Sequence, residues 1–154
     1  MHVRASGVRD HPTLPQAPGG CRVSPEPTQP RTWTLRLPFR TPLSLNQLYR
    51  MHWRKRAAET RAWKDTAIVL ARQQRIPTLE RFTVVLHYAP TRNNAPDLDN
   101  LTGSTKPLVD GLVIARVAAD DTEDHYRPSS PIIHPSTGEP GRLWLDVIDL
   151  GGTA

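Results

Sequence analysis

The stretch that decides the fold is Arg-Phe-Thr-Val-Val-Leu-His-Tyr-Ala at residues 81–89. Its large side chains fall on every second position, with Thr83 and His87 between them. This period of two is typical of a β-strand with one buried face. The strand ends at Pro90, and residues 90–96 read as a loop, since they hold two prolines and two asparagines.

Two more segments show strand periodicity. Apolar and polar residues alternate over residues 32–37, and Pro38 ends this strand. Residues 142–150 are mostly apolar and predict a final strand. Tyr126 marks the position of a candidate short strand.

The remaining segments have helical spacing. Residues 57–75 carry an apolar stripe and are followed by a proline, which predicts a helix. A second helix is expected to begin near Pro107, with Ser104 or Thr105 as its cap, and to end before Asp120. The order β-α-β-α-β predicts an α+β fold of two layers, in which a mixed β-sheet packs on two helices.

Composition limits the classes of protein that remain. The 154 residues have room for one domain, which we place at residues 31–150, because the Pro-rich segment 1–30 is interpreted as a disordered tail. The single cysteine, Cys21, excludes a disulfide within the chain and a multi-cysteine zinc site. No apolar run of about 18 residues and no secretory signal are visible, so we expect no membrane segment and a cytoplasmic location.

The chain is basic. It holds 20 Lys and Arg against 15 Asp and Glu, for a formal charge of +5. Such a balance favours an acidic partner, although charge alone does not identify one. The six histidines share no spacing typical of metal ligands, and His52, His87 and His125 are interpreted as surface residues.

The residues best suited to catalysis or metal binding are two groups of acidic side chains. Asp97 and Asp99 are two positions apart, and in an extended segment they would face the same side. Two carboxylates so close repel each other unless a cation such as Mg²⁺ lies between them. Asp120 and Asp121 form the second group, beyond the second helix. The residues alone leave a simpler alternative open, in which Asp99 caps a helix and the other acids are only solvated.

A basic patch precedes these acids. Five basic side chains lie within twelve positions, at Arg50, Arg54, Lys55, Arg56 and Arg61. If the segment is one helix, three of the arginines share a face suited to phosphate contacts. An ordinary solvated helix face remains the alternative. The two aromatic residues of the patch could stack on bases, but core packing is the preferred interpretation for the tryptophan.

An ordered set of motifs resembles the RusA family of Holliday junction resolvases. The set runs Asp-Leu-Asp-Asn-Leu at 97–101, Lys-Pro-Leu-Val-Asp-Gly-Leu at 106–112 and Asp-Asp at 120–121, with Asn46 in a turn after the first strand. The resemblance implies a dimeric, Mg²⁺-dependent endonuclease that cuts four-way junction DNA by paired nicks, with Mn²⁺ as a substitute metal.

The resemblance also implies roles for individual residues. Asp97, Asp99 and Asp121 would be the catalytic, metal-binding carboxylates, and Lys106 the catalytic basic residue beside them. DNA contacts are expected from Asn46, Arg50, Arg54, Lys55, Arg56, Arg61 and Asn100.

One departure from the family pattern concerns the residues just before Lys106. Gly103, Ser104 and Thr105 are extra relative to that pattern, and we expect them to bulge the second helix or delay its start.

Two alternatives to junction resolution stay open. One is a nuclease for other branched DNA, and the other is a catalytically inactive junction-binding protein of the same fold.

Overall fold

The structure is a computed structural model, and it describes residues 29–93 and 97–152. The predicted tail lies outside the described residues except for its last two positions. In chain order the elements are β1 (Thr32–Leu37), α1 (Leu45–Arg50), α2 (Trp53–Gln73), β2 (Phe82–Ala89), α3 (Leu98–Ile114), β3 (Tyr126–Arg127), β4 (Ile132–Ile133) and β5 (Arg142–Asp149).

The five strands form one mixed sheet. β5 lies between β1 and β2 and is antiparallel to both. β3 and β4 pair in parallel with β2, and α3 lies between β2 and β3 in the chain. This mixed α/β arrangement is compatible with the predicted α+β class. It includes β3, at the position predicted for a short strand, and β4, which was not predicted.

The core lies between one face of the sheet and helices α2 and α3. Alternate residues of β1, β2 and β5 are buried, as the period of two predicted for β1 and β2. Trp63, Ala67 and Ala71 contribute the buried stripe of α2. The two helices approach closely at Gly111, where an added Cβ would lie 2.4 Å from the Lys64 carbonyl oxygen. Only a residue without a side chain fits there.

The predicted start of the second long helix, near Pro107, was wrong. α3 begins at Leu98, with Asp97 at its N-cap position, and Pro107 lies inside it. Residues 103–105 are continuous helix, so they neither bulge the helix nor delay its start. A proline inside a helix removes one backbone hydrogen bond, but Pro107 is buried, and packing of its ring helps offset this loss.

Gly103 and Ser104 have a specific place in this helix. A Cβ on Gly103 would lie 2.9 Å from the Leu43 carbonyl oxygen, so the loop before α1 approaches the helix backbone closely. The fully buried Ser104 hydroxyl accepts a hydrogen bond from the Leu43 N–H (2.6 Å) and donates one to the Leu43 carbonyl (3.2 Å). Ser104 therefore ties this loop to α3.

The basic segment is also divided differently from the prediction. α1 was not predicted, and the extended backbone at Met51 (ψ 143°) separates it from α2. α2 begins at Trp53 rather than near residue 57. The prediction missed its first turn because that turn carries no apolar stripe. The His52 side chain caps the helix by accepting a hydrogen bond from the Arg54 N–H (3.3 Å). Arg50 therefore does not share a helix with the later arginines.

None of the helices among the described residues combines the length and apolar character needed to cross a membrane.

Candidate functional site

The first acidic pair lies at the start of α3. Asp97 has an extended backbone (φ −58°, ψ 147°) at the N-cap position, whereas Asp99 is in the first helical turn. The predicted extended segment with both carboxylates on one side is therefore wrong. Both side chains are exposed, and the acids lie where the helix dipole favours negative charge. The half-buried Asn100 follows, and its N–H bonds to the Asp97 carbonyl (2.9 Å).

Lys106 lies on the same face of α3 as Asp99. Seven residues are close to two full turns, so the two Cα atoms are about 10 Å apart along the helix. The Lys106 ammonium contacts Asp110 Oδ1 at 2.9 Å and also donates a hydrogen bond to Asp121 Oδ2. The structure thus brings together Lys106 and Asp121, two of the residues predicted for the site.

The two acids of the second pair, Asp120 and Asp121, have different hydrogen-bond partners. The Asp120 carboxylate accepts bonds from the Thr122 N–H (3.0 Å) and hydroxyl (2.6 Å), which lowers the pKa of Asp120. This internal turn leaves Asp121 directed toward α3. The hydrogen bond from Lys106 lowers the pKa of Asp121, and the same bond raises the pKa of Lys106. Both partners are therefore charged at neutral pH.

The predicted metal ligands match Mg²⁺ in kind, because that ion prefers carboxylate oxygens. Their placement does not match. Across residues 29–93 and 97–152, no three His, Cys, Asp or Glu side chains are grouped so that they could hold a metal ion. Lys106 contacts Asp121, whereas Asp99 lies about two turns earlier on this helix face and Asp97 precedes the helix.

The basic patch forms an exposed surface on α1 and α2. Arg50 ends α1, and the other four cations follow on α2, whose first turn carries no acidic residue. Within the described part of the chain, none of the five cations forms an ion pair; they are Arg50, Arg54, Lys55, Arg56 and Arg61. Their charge is available to a ligand from solvent.

Two aromatic side chains lie on this surface. Tyr49 is 75% exposed and Trp53 is 61% exposed, so the expectation that Trp53 packs in the core was wrong. The Arg54 guanidinium lies 5.1 Å from the centre of the Trp53 ring. An exposed ring beside cations can stack on an unpaired base.

The loop before α1 connects this surface to the acidic face of α3. α1 packs against α3, and Ser104 holds Leu43, which precedes α1 by two residues. Asn46 is exposed in the first turn of α1. The turn with Asn46 and the acidic face of α3 therefore belong to neighbouring, directly packed elements.

A second cluster was not predicted from the sequence. His87 is only 13% exposed, so its interpretation as a surface residue was wrong; its ring contacts Asp146, His134 and Trp144. These residues come from β2, β5 and the segment after β4. No motif joins them, and only the strand register shows that His87 lies opposite Trp144.

Comparisons with known proteins do not identify the chain. No family model matches it, and the search of curated proteins found no match. The resemblance to the RusA family therefore remains a prediction that depends on the order of its motif residues.

Proposed function

We propose that this chain is an endodeoxyribonuclease specific for branched DNA, which resolves Holliday junctions by paired nicks in DNA recombination and repair and requires Mg²⁺. The observation that carries the proposal is the contact between Lys106 and Asp121, on the helix face that carries Asp99 two turns earlier. These are the residues that the motif resemblance assigns to catalysis. A cytoplasmic homodimer would suit the substrate, since two identical sites match the two-fold symmetry of a four-way junction.

Lys106 would bind the phosphate that is cut. Its ammonium has three N–H donors, of which two face Asp110 and Asp121. The third can donate to a non-bridging phosphate oxygen and offset its charge. For Asp97, Asp99 and Asp121 to supply carboxylate oxygens to Mg²⁺ or Mn²⁺, Asp121 would have to leave Lys106 and approach the start of α3.

The exposed cations of α1 and α2 would hold the DNA backbone. Phosphate contacts of this kind release counterions, so affinity should fall by roughly 10³-fold between 50 and 200 mM salt if about six phosphates are neutralised. Asn46, exposed on α1, and Asn100, in the first turn of α3, would donate to the strand near the cut.

A second candidate is a junction-binding protein without nuclease activity. It is favoured by a specific observation, namely that Asp121 is already paired with Lys106 while the described acids form no metal-binding group. Both candidates share the basic surface and differ only in chemistry.

Cleavage assays separate the two. Labelled four-way junction, flap and plain duplex would be incubated with the full chain in Mg²⁺, Mn²⁺ or EDTA. Paired nicks that need the metal and disappear in Asp99→Asn would support the nuclease. The matched control is Asp65→Asn, which changes an exposed acid of α2 and should cut normally.

Junction binding without nicks in either metal would favour the binding protein. Equal affinity for junction and duplex would contradict both candidates.

A further inference from the structure

The sheet has an outer face, which we define as the side away from α2 and α3. In β5 the buried residues point to the helices, and Trp144 and Asp146 point to the outer face. The register places Arg36 of β1 on one side of Trp144 and His87 of β2 on the other. One row of side chains therefore crosses three strands.

Hydrogen bonds fix the His87 side of this row. The His87 Nε2 lies 3.1 Å from Asp146 Oδ2, and the Thr34 hydroxyl donates to Asp146 Oδ1 at 2.6 Å. The His87 Nδ1 lies 2.9 Å from the His134 Nε2. Both carboxylate oxygens of Asp146 are thus engaged inside the cluster.

The same cluster holds the indole ring of Trp144. The ring is nearly parallel to His87, with centroids 5.1 Å apart and an interplanar angle of 3°. His134 stacks on it as well, at 4.9 Å. Trp144 is therefore held in place before any ligand arrives.

On its Arg36 side, Trp144 lines a cavity of about 640 Å³. This volume lies within the range of small-molecule sites. The lining residues include apolar ones and three arginines, Arg36, Arg40 and Arg142. Arg142 pairs with Glu139 at 3.0 Å, whereas Arg36 and Arg40 form no ion pair with any described residue. The cavity thus has excess positive charge beside an aromatic wall.

A glycine keeps two walls of the cavity together. A Cβ on Gly141 would lie 2.2 Å from the Arg40 carbonyl oxygen, so no other residue allows this approach without a backbone shift. The segment that leads into β5 therefore packs directly on the segment that follows β1. This contact fixes the distance between the Arg40 backbone and the strand that carries Trp144.

We propose that this cavity binds a nucleotide, with its base stacked on Trp144 and its phosphate between Arg36 and Arg40. A planar ring suits the indole, and an anion suits the two unpaired guanidinium groups. A purely apolar ligand would leave those charges unused, and a bare anion would leave the aromatic wall unused. The ligand is either a free nucleotide or an unpaired nucleotide of a single strand. Arg36 and Trp144 are on the outer face of the sheet, away from α3, and binding there does not depend on nuclease activity.

Binding measurements in EDTA test this proposal without any cleavage. Fluorescence anisotropy would compare a labelled ten-residue oligothymidylate with an abasic strand of equal charge. The full chain should prefer the base-bearing strand by about tenfold, since one stacked base contributes on the order of 1–3 kcal/mol. Trp144→Ala should lose this preference, Trp144→Phe should keep most of it, and Arg36→Gln should weaken binding of both strands.

Displacement of the labelled strand by thymidine monophosphate identifies a free nucleotide as the ligand, and its failure identifies a nucleotide within a strand. Trp53→Ala tests the competing aromatic site on α2, and Val69→Ala, at an exposed apolar position of the same helix, is the control that should keep the preference. An unchanged preference in Trp144→Ala overturns the proposal. So does a loss in Trp53→Ala alone, because it places the base contact on α2.

Discussion

The helical side of the molecule and the outer face of the sheet position polar side chains in different ways. On α3, Lys106 is 66% exposed and contacts carboxylates through flexible, solvated side chains. On the outer face, His87 and Asp146 are mostly buried and hydrogen-bonded in a fixed row. Exposed ion pairs contribute little to stability, whereas a buried polar network fixes geometry. The first region can give up its contacts to a ligand, and the second offers a rigid surface.

The largest effect is expected where the helical side is rigid, at the contact of α2 with α3. Gly111→Val should lower the free energy of unfolding by about 3 kcal/mol, because its side chain would collide with the Lys64 carbonyl and with Ala67 Cβ, 2.8 Å from an ideal Cβ. Urea denaturation measures the change. Ala62→Val, at an exposed position of the same helix pair, is the control and should cost only a few tenths of a kcal/mol. A small effect of Gly111→Val would mean that the helices shift apart easily.

An intermediate effect is expected from pH on the outer face. Burial lowers the pKa of His87 below its ordinary value of 6.5, although Asp146 acts in the opposite direction and His134 reinforces the shift. The unfolded chain then takes up this proton more readily than the folded one. The stability associated with neutral His87 is therefore complete above pH 6.5 and is lost as the pH falls through and below this value.

Urea denaturation at pH 7.5 and 5.5 checks this sign. The free energy of unfolding should fall less on acidification in His87→Gln than in the parent protein. Ala62→Val, which changes an exposed residue and no ionisable group, should leave the slope unchanged. An equal slope in all three proteins would show that His87 has the same pKa in the folded and unfolded states.

The smallest effect on stability is expected at the exposed ion pairs of α3. Lys106→Met should change the free energy of unfolding by only a few tenths of a kcal/mol, because both of its contacts are solvated. The same change should slow junction cleavage by at least about tenfold if Lys106 offsets phosphate charge. Parallel urea and cleavage measurements test both parts. A loss of stability well above 1 kcal/mol would show that the Lys106 contacts stabilise the fold and would contradict the contrast between solvated contacts on α3 and fixed contacts on the outer face.

The strands were predictable because their signal is local. Residues 32–37 and 81–89 show a period of two and residues 142–150 are mostly apolar; β1, β2 and β5 begin and end within one residue of these ranges. The start of α3 was not predictable in this way. Gly103, Ser104 and Pro107 all disfavour a helix interior, and each is accommodated by a tertiary contact: close approach of a loop, a buried hydrogen bond and ring burial.

The basic segment shows a second limit of prediction from the sequence. α1 has six residues and none is buried, so it leaves no apolar period in the sequence. Trp53 is large and apolar, which predicts burial, but it lies on the first turn of α2 beyond the buried stripe of that helix. Its exposure follows from where the helix begins.

The two candidate sites also differ in how far the sequence predicts them. Lys106 and Asp121 were predicted together because an ordered motif resembles a known family. The contact of His87 with Trp144 depends on strand pairing between positions 57 residues apart, and no single segment of the sequence contains that information.

The hydrogen bonds between Ser104 and Leu43 have a consequence for the order of folding. They join positions 61 residues apart, and closing so long a loop costs chain entropy before any contact forms. The short helix that follows Leu43 has no buried residue of its own to hold it. We therefore expect this helix to dock after α3, and trypsin should cleave after Arg50 faster in Ser104→Ala than in the parent protein.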